Sequence, residues 1–281
     1  MAISTVSNIS GYFNNIYEDA LFVAREMNMM TQLVTNYSAT GWMTRTISTY
    51  PTFTAASVSE GVDYANPTTF DKSTLATLTP GEIITQGIIT DRRMETDPQD
   101  ARRDLATEMG NAIATKIDKD VASSFSSFST DVGPGAGTTN TLAKFAVGVS
   151  VLRNNLTPQP LYAVIHPYCW HDIFVELGQP ASQKALLGDV ANQALRDFFV
   201  GSWLNMQWFV STNVPTSTTN ATGAIFNSQA IAFDTRKAPM LEPERDASLR
   251  AWELNMSAGY AYGVRRSAFG VKYTGDITTP T

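Results

Sequence analysis

The sequence predicts an α+β protein with extended parts, and three observations carry that prediction. Residues Asp97 to Phe128 place apolar side chains on one i+4 row, the mark of a long helix. Two segments rich in Thr, Ile and Tyr, Thr44 to Thr54 and Ser73 to Ile89, flank a stretch full of turn residues, as in a two-stranded ribbon. From Thr141 onward, helical periodicity alternates with short apolar runs and then gives way to strands.

At 281 residues the chain can form one large domain or two smaller ones around a sizeable core. Ser10 can cap a first helix running to about Leu33. Phe13, Ile16, Tyr17, Ala20, Leu21, Ala24 and Met27 recur there at spacings of three and four, while Asn15, Glu18, Asp19 and Arg25 fall elsewhere. Tyr12, Phe13, Ile16 and Tyr17 give this segment an apolar face that can pack on its own domain or on a neighbouring chain.

The ribbon comes next. At about a dozen residues per strand it would reach roughly 40 Å. Such a hairpin is marginal alone in water, so it needs a surface to lie on. Its turn-rich tip carries Val58, Glu60, Val62, Asp63, Tyr64, Phe70, Asp71 and Lys72.

Asp97 can then cap a helix with Pro98 in its first position. Running to Phe128, it would span roughly 48 Å. Its row is Ala101, Leu105, Met109, Ile113, Ile117, Val121 and Phe125. Each four-residue step overshoots a turn by about 40°, so the row winds and the helix meets different partners along its length, as a spine does.

Gly133-Pro-Gly-Ala-Gly137 is a loop; no Gly-Lys-Ser/Thr follows it, which argues against a phosphate cradle. Thr141 to Asn155 reads as a helix, and Leu161 to Ile165 as a buried strand ended by His166-Pro167. Tyr168 to Leu177 and Val190 to Phe199 read as helices. Met206 to Ser211 and Ala224 to Phe233 read as strands around the loop Pro215 to Gly223. Ala238 to Asp246 is a Pro- and charge-rich link, and Leu249 to Met256 and Tyr262 to Tyr273 are two final strands. In the first of these, Arg250, Trp252, Leu254 and Met256 share a face.

Charged residues are only 16% of the chain, below the usual quarter. That suits a protein which hides its surface against other chains, though a β-rich secreted protein would look alike. The net charge is −6 and no basic run occurs, which argues against direct nucleic-acid binding. The pairs Arg92-Arg93, Arg102-Arg103 and Arg265-Arg266 read as ion-pair partners. The lone Cys169 excludes an intrachain disulfide and fits a reducing compartment. Met1 to Ile9 has no basic or apolar signal region, and no stretch approaches a membrane span. A cytosolic, soluble chain is expected.

The strongest candidate for chemistry is His166, Cys169, His171 and Asp172, which include both histidines and the only cysteine. On a helix, Cys169 and His171 point apart, and no second cluster supplies further ligands, so structural roles are expected and no metal. There is no Gly-x-Ser-x-Gly elbow, and Glu242 and Glu244 around Pro243 read as a solvated turn. Neither a catalytic set nor a cofactor site is visible, and the chain reads as no enzyme.

The order of elements, from N-terminal arm through ribbon, spine helix, Gly-rich loop, α/β region and returning strands, resembles the Hong Kong 97-type major capsid proteins of tailed phages from end to end. Local wording is similar too. Leu161-Tyr-Ala-Val-Ile-His-Pro167, with Trp170 and Ile173, resembles the family's strand-Pro-helix step. Trp208-Phe-Val-Ser-Thr-Asn-Val-Pro215 and Asn227-Ser-Gln-Ala-Ile-Ala-Phe233 resemble its axial-domain strands, and Tyr262-Gly-Val-Arg-Arg-Ser-Ala-Phe-Gly-Val271 its closing peripheral strands.

The resemblance implies an N-arm at 1–40, an extended E-loop with its base strands at 41–94 and a spine helix of the peripheral domain at 95–130. An axial domain at 131–245 and returning peripheral strands with a tail at 246–281 complete the chain. It implies self-assembly into pentamers, hexamers and a closed icosahedral shell around double-stranded DNA, held without sequence-specific binding. Inter-subunit contacts would fall on the tip residues and on Tyr12, Phe13, Ile16 and Tyr17. Scaffolding, portal and decoration proteins would be separate chains; no membrane or cofactor is involved. The place of action would be the virion capsid, assembled in the host cytoplasm. Two alternatives stand beside it: an encapsulin-like nanocompartment shell and, from another class, a cytosolic α/β hydrolase.

Overall fold

The computed structural model describes residues 29–65, 67–96, 101–135, 137–178 and 202–279. It opens with the short helix α1 (Met30–Leu33) and strand β1 (Thr35–Ser38). The ribbon strands β2 (Arg45–Thr49) and β3 (Ser73–Leu78) follow, then β4 (Gly81–Thr90), the short helix α2 (Asp91–Thr96) and the long helix α3 (Ala101–Ser123). A 3-10 turn, Ser124–Ser127, extends α3 to Phe128. Next come α4 (Leu142–Asn154), β5 (Leu161–Ile165) and α5 (Pro167–Gly178). Strands β6 (Ser202–Trp203), β7 (Met206–Val210), β8 (Asn220–Asn227), β9 (Ile231–Asp246), β10 (Ala251–Val264) and β11 (Gly270–Asp276) close the chain.

These strands form a four-stranded sheet ordered β1-β9-β10-β4, a five-stranded sheet ordered β11-β8-β5-β7-β6, and the two-stranded ribbon β2-β3. β5 lies at the centre of the five-stranded sheet with both faces covered, which explains its unbroken apolar run. Leu161, Ala163 and Ile165 face a core shared with Phe145 of α4, Trp170 of α5, Trp208 and Tyr273. Phe145 stacks on Tyr273 at 4.1 Å and leans on Trp208 at 4.7 Å. Val164 faces the other way, into a second core with Val121, Phe125, Phe128, Phe226, Phe233 and Tyr260. This second core joins α3 to both large sheets. The first turn of α4 has no side-chain cap of its own; Glu176 of α5 instead accepts the Leu142 N–H at 2.7 Å.

Helix α3 crosses the four-stranded sheet closely because Gly87 leaves room. A Cβ at Gly87 would lie 2.6 Å from Leu105 Cδ2. Further along α3, the buried Asp118 carboxylate accepts the Met29 and Met30 backbone N–H groups, at 3.1 and 3.3 Å, and so docks α1. Among the described residues no helix is long and apolar enough to cross a membrane.

Several sequence expectations need correction. The ribbon strands are five and six residues long, not about a dozen, and the described residues from Tyr50 to Lys72 run on without a ladder. Ser73 to Ile89 divides at Thr79-Pro80, where proline has no N–H to donate, and its second half joins the large sheet as β4. Ala224 to Phe233 is two strands in two sheets, separated by a turn in which the Ala230 N–H bonds the Asn227 carbonyl. Tyr262 to Tyr273 likewise breaks at a 3-10 turn, Ser267–Phe269, between β10 and β11. Arg250 lies in the turn before β10.

The link expected at Ala238 to Asp246 is strand. Beyond Thr235, β9 has lost its β1 partner and is an edge, where Pro239 and Pro243 forfeit no bond on the open side. Glu242 and Glu244 therefore stand on a strand, not in a turn. Arg245 ties this end down through Asp91 of α2, at 2.6 Å. Sheet membership also ignores the expected boundary at 245/246: β9 belongs with β10, and β11 with β8. The first helix up to residue 28, with Tyr12, Phe13, Ile16 and Tyr17, the Asp97-Pro98 start and the helix Val190 to Phe199 lie outside the described residues; the expected end at Leu33 coincides with the end of α1.

Candidate assembly surface

The ribbon grows from the face of the four-stranded sheet turned away from α3. Register places Ala261 opposite Asp234 and Gly263 opposite Ala232, so all four share one face. Ile47 and Leu78 from the ribbon pack there with Ala232 and Ala261. The buried sheet residues beneath the ribbon, Ala232 and Ala261, are small, and the half-buried Tyr37 packs beside them, so the ribbon sits close on a thin apolar contact.

A charged cluster lies beside that contact. Asp234, with its side chain 0% exposed, meets Arg45 of β2 at 2.7 Å and Arg236 of its own strand at 2.6 Å. Arg45 also donates from Nη2 to Asp234 Oδ1 at 3.3 Å and to the Ser38 carbonyl at 3.2 Å, and its guanidinium lies over the Tyr37 ring. The hydrogen bond to Asp234 raises the Arg45 pKa above its ordinary value, against the effect of burial. From Met27 to Ser59, Arg45 is the sole charged residue, a sequence signal that pattern reading passed over.

Beyond the ladder the tip is open. Val58, Glu60, Val62, Asp63, Tyr64, Phe70, Asp71 and Lys72 are all exposed. The tip holds its own base together: Phe70 stacks on Tyr50 at 4.5 Å and leans on Phe53 at 5.8 Å, with the Lys72 ammonium 5.7 Å from the Tyr50 ring. Tyr50 and Phe53 extend the expected set; their partner across the loop could not be read from sequence.

The rest of that sheet face carries a second open patch. Ile84 stands opposite Ser257, which stands opposite Met240, so these share a face, and Ile88 lies further along β4 on the same side. Ile84 is 69% exposed, and Ile88 and Met240 are exposed too. Trp42 covers the near end, where a Cβ at Gly259 would lie 2.6 Å from its Cη2. Lys237 holds the middle, donating to Ser257 Oγ at 2.8 Å and lying 3.7 Å from both Glu82 and Glu242.

Along the spine row, Met109, Ile113, Val121 and Phe125 are buried, while Leu105 and Ile117 are half-buried. Leu105 meets β4 at Gly87, and Ile117, Val121 and Phe125 line the second core.

The histidine and cysteine positions form no metal cluster; among the described residues no group of three such ligands converges. The His166 ring nitrogen Nδ1 accepts the Tyr168 N–H at 3.2 Å, and His171 is on the helix surface. Asp172 accepts from Asn140, whose Oδ1 accepts the Tyr273 hydroxyl. The Cys169 thiol is buried and donates to the Asp276 carbonyl at 3.4 Å. Burial, with Asp172 nearby, pushes its pKa up to about 12. At pH 8 only about one thiol in ten thousand would then be thiolate, the reactive form. The folded protein is therefore expected to resist alkylation at pH 8 and to react at once when denatured. Fast labelling of the native protein would contradict this placement.

A family model described as phage capsid protein matches residues 88–273. No curated protein matches the sequence at a significant level. Solved structures do match in shape. The capsid structure of the cyanophage P-SCSP1u superposes with a TM-score of 0.73 at 16% identity, covering 92% of this chain and 91% of that one. A structure from Mycobacterium phage Che8 gives 0.71 at 14% identity, covering 90% and 94%. The head structure of Helicobacter pylori bacteriophage KHP40 gives 0.72 at 11% identity, covering 90% and 93%. With about two thirds of its length inside the family model and its fold shared with these structures, the chain belongs to the phage capsid protein family and has the Hong Kong 97-type fold of tailed-phage major capsid proteins.

Proposed function

We propose that this chain is the repeating subunit of a closed icosahedral head, built from pentamers and hexamers in the host cytoplasm, that encloses double-stranded DNA. The observation that carries the reading is the ribbon tip. Tyr50, Phe53, Val58, Val62, Tyr64 and Phe70 are all exposed on a segment whose ladder has ended. Clustered apolar exposure of this kind marks a surface that another chain covers. Burying an exposed valine or phenylalanine completely contributes about 1.5–3 kcal/mol, and covering these half-exposed side chains would supply a part of that at each. Repeated at every subunit, contacts that are weak singly hold a shell firmly.

In this reading the tip and Tyr12, Phe13, Ile16 and Tyr17 of the N-arm are inter-subunit surfaces. Helix α3 with the four-stranded sheet is the peripheral part, and the five-stranded sheet with α4 and α5 is the axial part. The net charge of −6 suits a wall that contains DNA without gripping it. Scaffolding, portal and decoration proteins act as separate partners. The family match favours a phage head over a nanocompartment, and a structural role over the hydrolase alternative.

The test is gel filtration and electron microscopy of the purified chain, alone and with its scaffolding partner. Pentamers, hexamers or closed shells are expected. A compact monomer under every condition would overturn the proposal.

A further inference from the structure

We propose that Arg45, Asp234 and Arg236 form a latch that fixes the direction in which the ribbon leaves the subunit, making them positioning residues for shell assembly. The inference rests on the reading of the ribbon as an inter-subunit arm.

The geometry supports a directional role over a merely cohesive one. The apolar contact under the ribbon root is small: its buried sheet side is Ala232 and Ala261, with the half-buried Tyr37 beside them, and so few apolar groups oppose sliding or tilting. The Asp234 carboxylate receives two donors of one guanidinium from the ribbon, and a two-point bond of this kind sets orientation as well as distance. The same guanidinium bonds the Ser38 carbonyl at the end of β1, and Arg236 reaches the Gly41 carbonyl at 3.4 Å. Both ends of the entry segment 38–45 are thus tied to one carboxylate.

Arg236 stands two residues from Asp234 on β9, on the same face, at a deviation in the ladder. Thr235 pairs with Tyr260 and Lys237 with Gly259, which leaves Arg236 without a partner in the register. It is the extra residue of a bulge; alternation along β9 already puts it on the face that holds Asp234, and the bulge brings Lys237 onto that face as well. The Arg236 side chain is 5% exposed and that of Asp234 0%, so neither ion is there for solubility. Buried ion groups of this type contribute little net stability against an apolar replacement, and their best-attested use is to specify one geometry.

The experiment uses Arg45→Ala, with Arg45→Lys and replacement of Ser59–Lys72 by a Gly-Ser turn run in parallel. Arg45 is the outer member, its side chain 28% exposed, and its removal leaves Asp234 paired with Arg236. Arg45→Ala is expected to keep cooperative unfolding near the wild-type temperature. Amide exchange at 45–49 and 73–78 should become about tenfold faster, the mark of local opening, with 251–264 unchanged. Normal particles should fall at least about tenfold, with misshapen assemblies in their place, since each subunit repeats the fault. Arg45→Lys should fall between, because an ammonium keeps the charge and loses the fork. Normal particles from Arg45→Ala, or exchange quickened equally through β9 and β10, would overturn the latch. If the tip replacement itself builds normal particles, the ribbon reading falls and the latch with it; if the tip replacement fails and Arg45→Ala succeeds, the latch alone is lost.

Discussion

Replacing Ser59–Lys72 by a short Gly-Ser turn is expected to leave a soluble, cooperatively folding subunit that builds no normal shells. The described residues among those removed are exposed, and the main packing they supply within the subunit is the stacking of Phe70 on Tyr50. A destabilisation of about 1 kcal/mol or less would shift Tm by roughly 2–4 °C in a chain of this size. Assembly should respond on another scale. A deficit of about 1.4 kcal/mol per contact is tenfold in each association constant, and a shell multiplies that factor over its many equivalent contacts. Thermal unfolding and electron microscopy on the same preparation separate the two effects. Collapse of the isolated subunit would place the ribbon in an internal sheet instead.

The opposite pattern is expected for Phe125→Ala at the end of the spine. Phe125 is fully buried and packs on Phe226 at 5.4 Å, in the core that joins α3 to both large sheets. Truncating a buried phenylalanine costs about 3–5 kcal/mol through reduced burial and the cavity left behind. That corresponds to a fall in Tm of roughly 6–20 °C. Because the core spans both sheets, their unfolding should shift together in a single transition. A fall confined to one part, or of about 2 °C only, would show that the sheets are coupled elsewhere.

What the sequence disclosed depended on how far its signals reach along the chain. Helix α4 and strand β5 lie within a residue or so of their expected bounds, because Leu142, Phe145, Val149 and Leu152 repeat at helical spacing and Leu161–Ile165 is a short apolar run between turn signals. The breaks between β8 and β9 and between β10 and β11 were invisible. Apolar residues lie on both sides of each, and Asn227–Ala230 and Ser267–Phe269 contain neither glycine nor proline to announce a turn. Pro239 and Pro243 misled in the other direction, since a proline argues against a strand only where its missing N–H has a neighbour. The latch was out of reach for a plainer reason: Arg45 and Asp234 are 189 residues apart, and nothing local marks them as a pair. The tip was legible as a surface, but the aromatic clasp at its base was not, because the register across a loop is set by packing.

The two crossings between the large sheets have a mechanical consequence. Strand β8 passes into β9 and β10 passes into β11 side by side, and both the Arg265 and Arg266 N–H groups bond the Ala230 carbonyl between them. Antiparallel pairing resumes on either side, with Val264 opposite Ile231 and Gly270 opposite Phe226. The pair of strands therefore runs as a laced strap from one sheet into the other. A tensile load pulling the sheets apart acts along the strap, where two continuous backbones share it and no cross-strand bond has to break before they bear it. If the chain forms the proposed shell, each subunit would carry load between its two large sheets through a double tether.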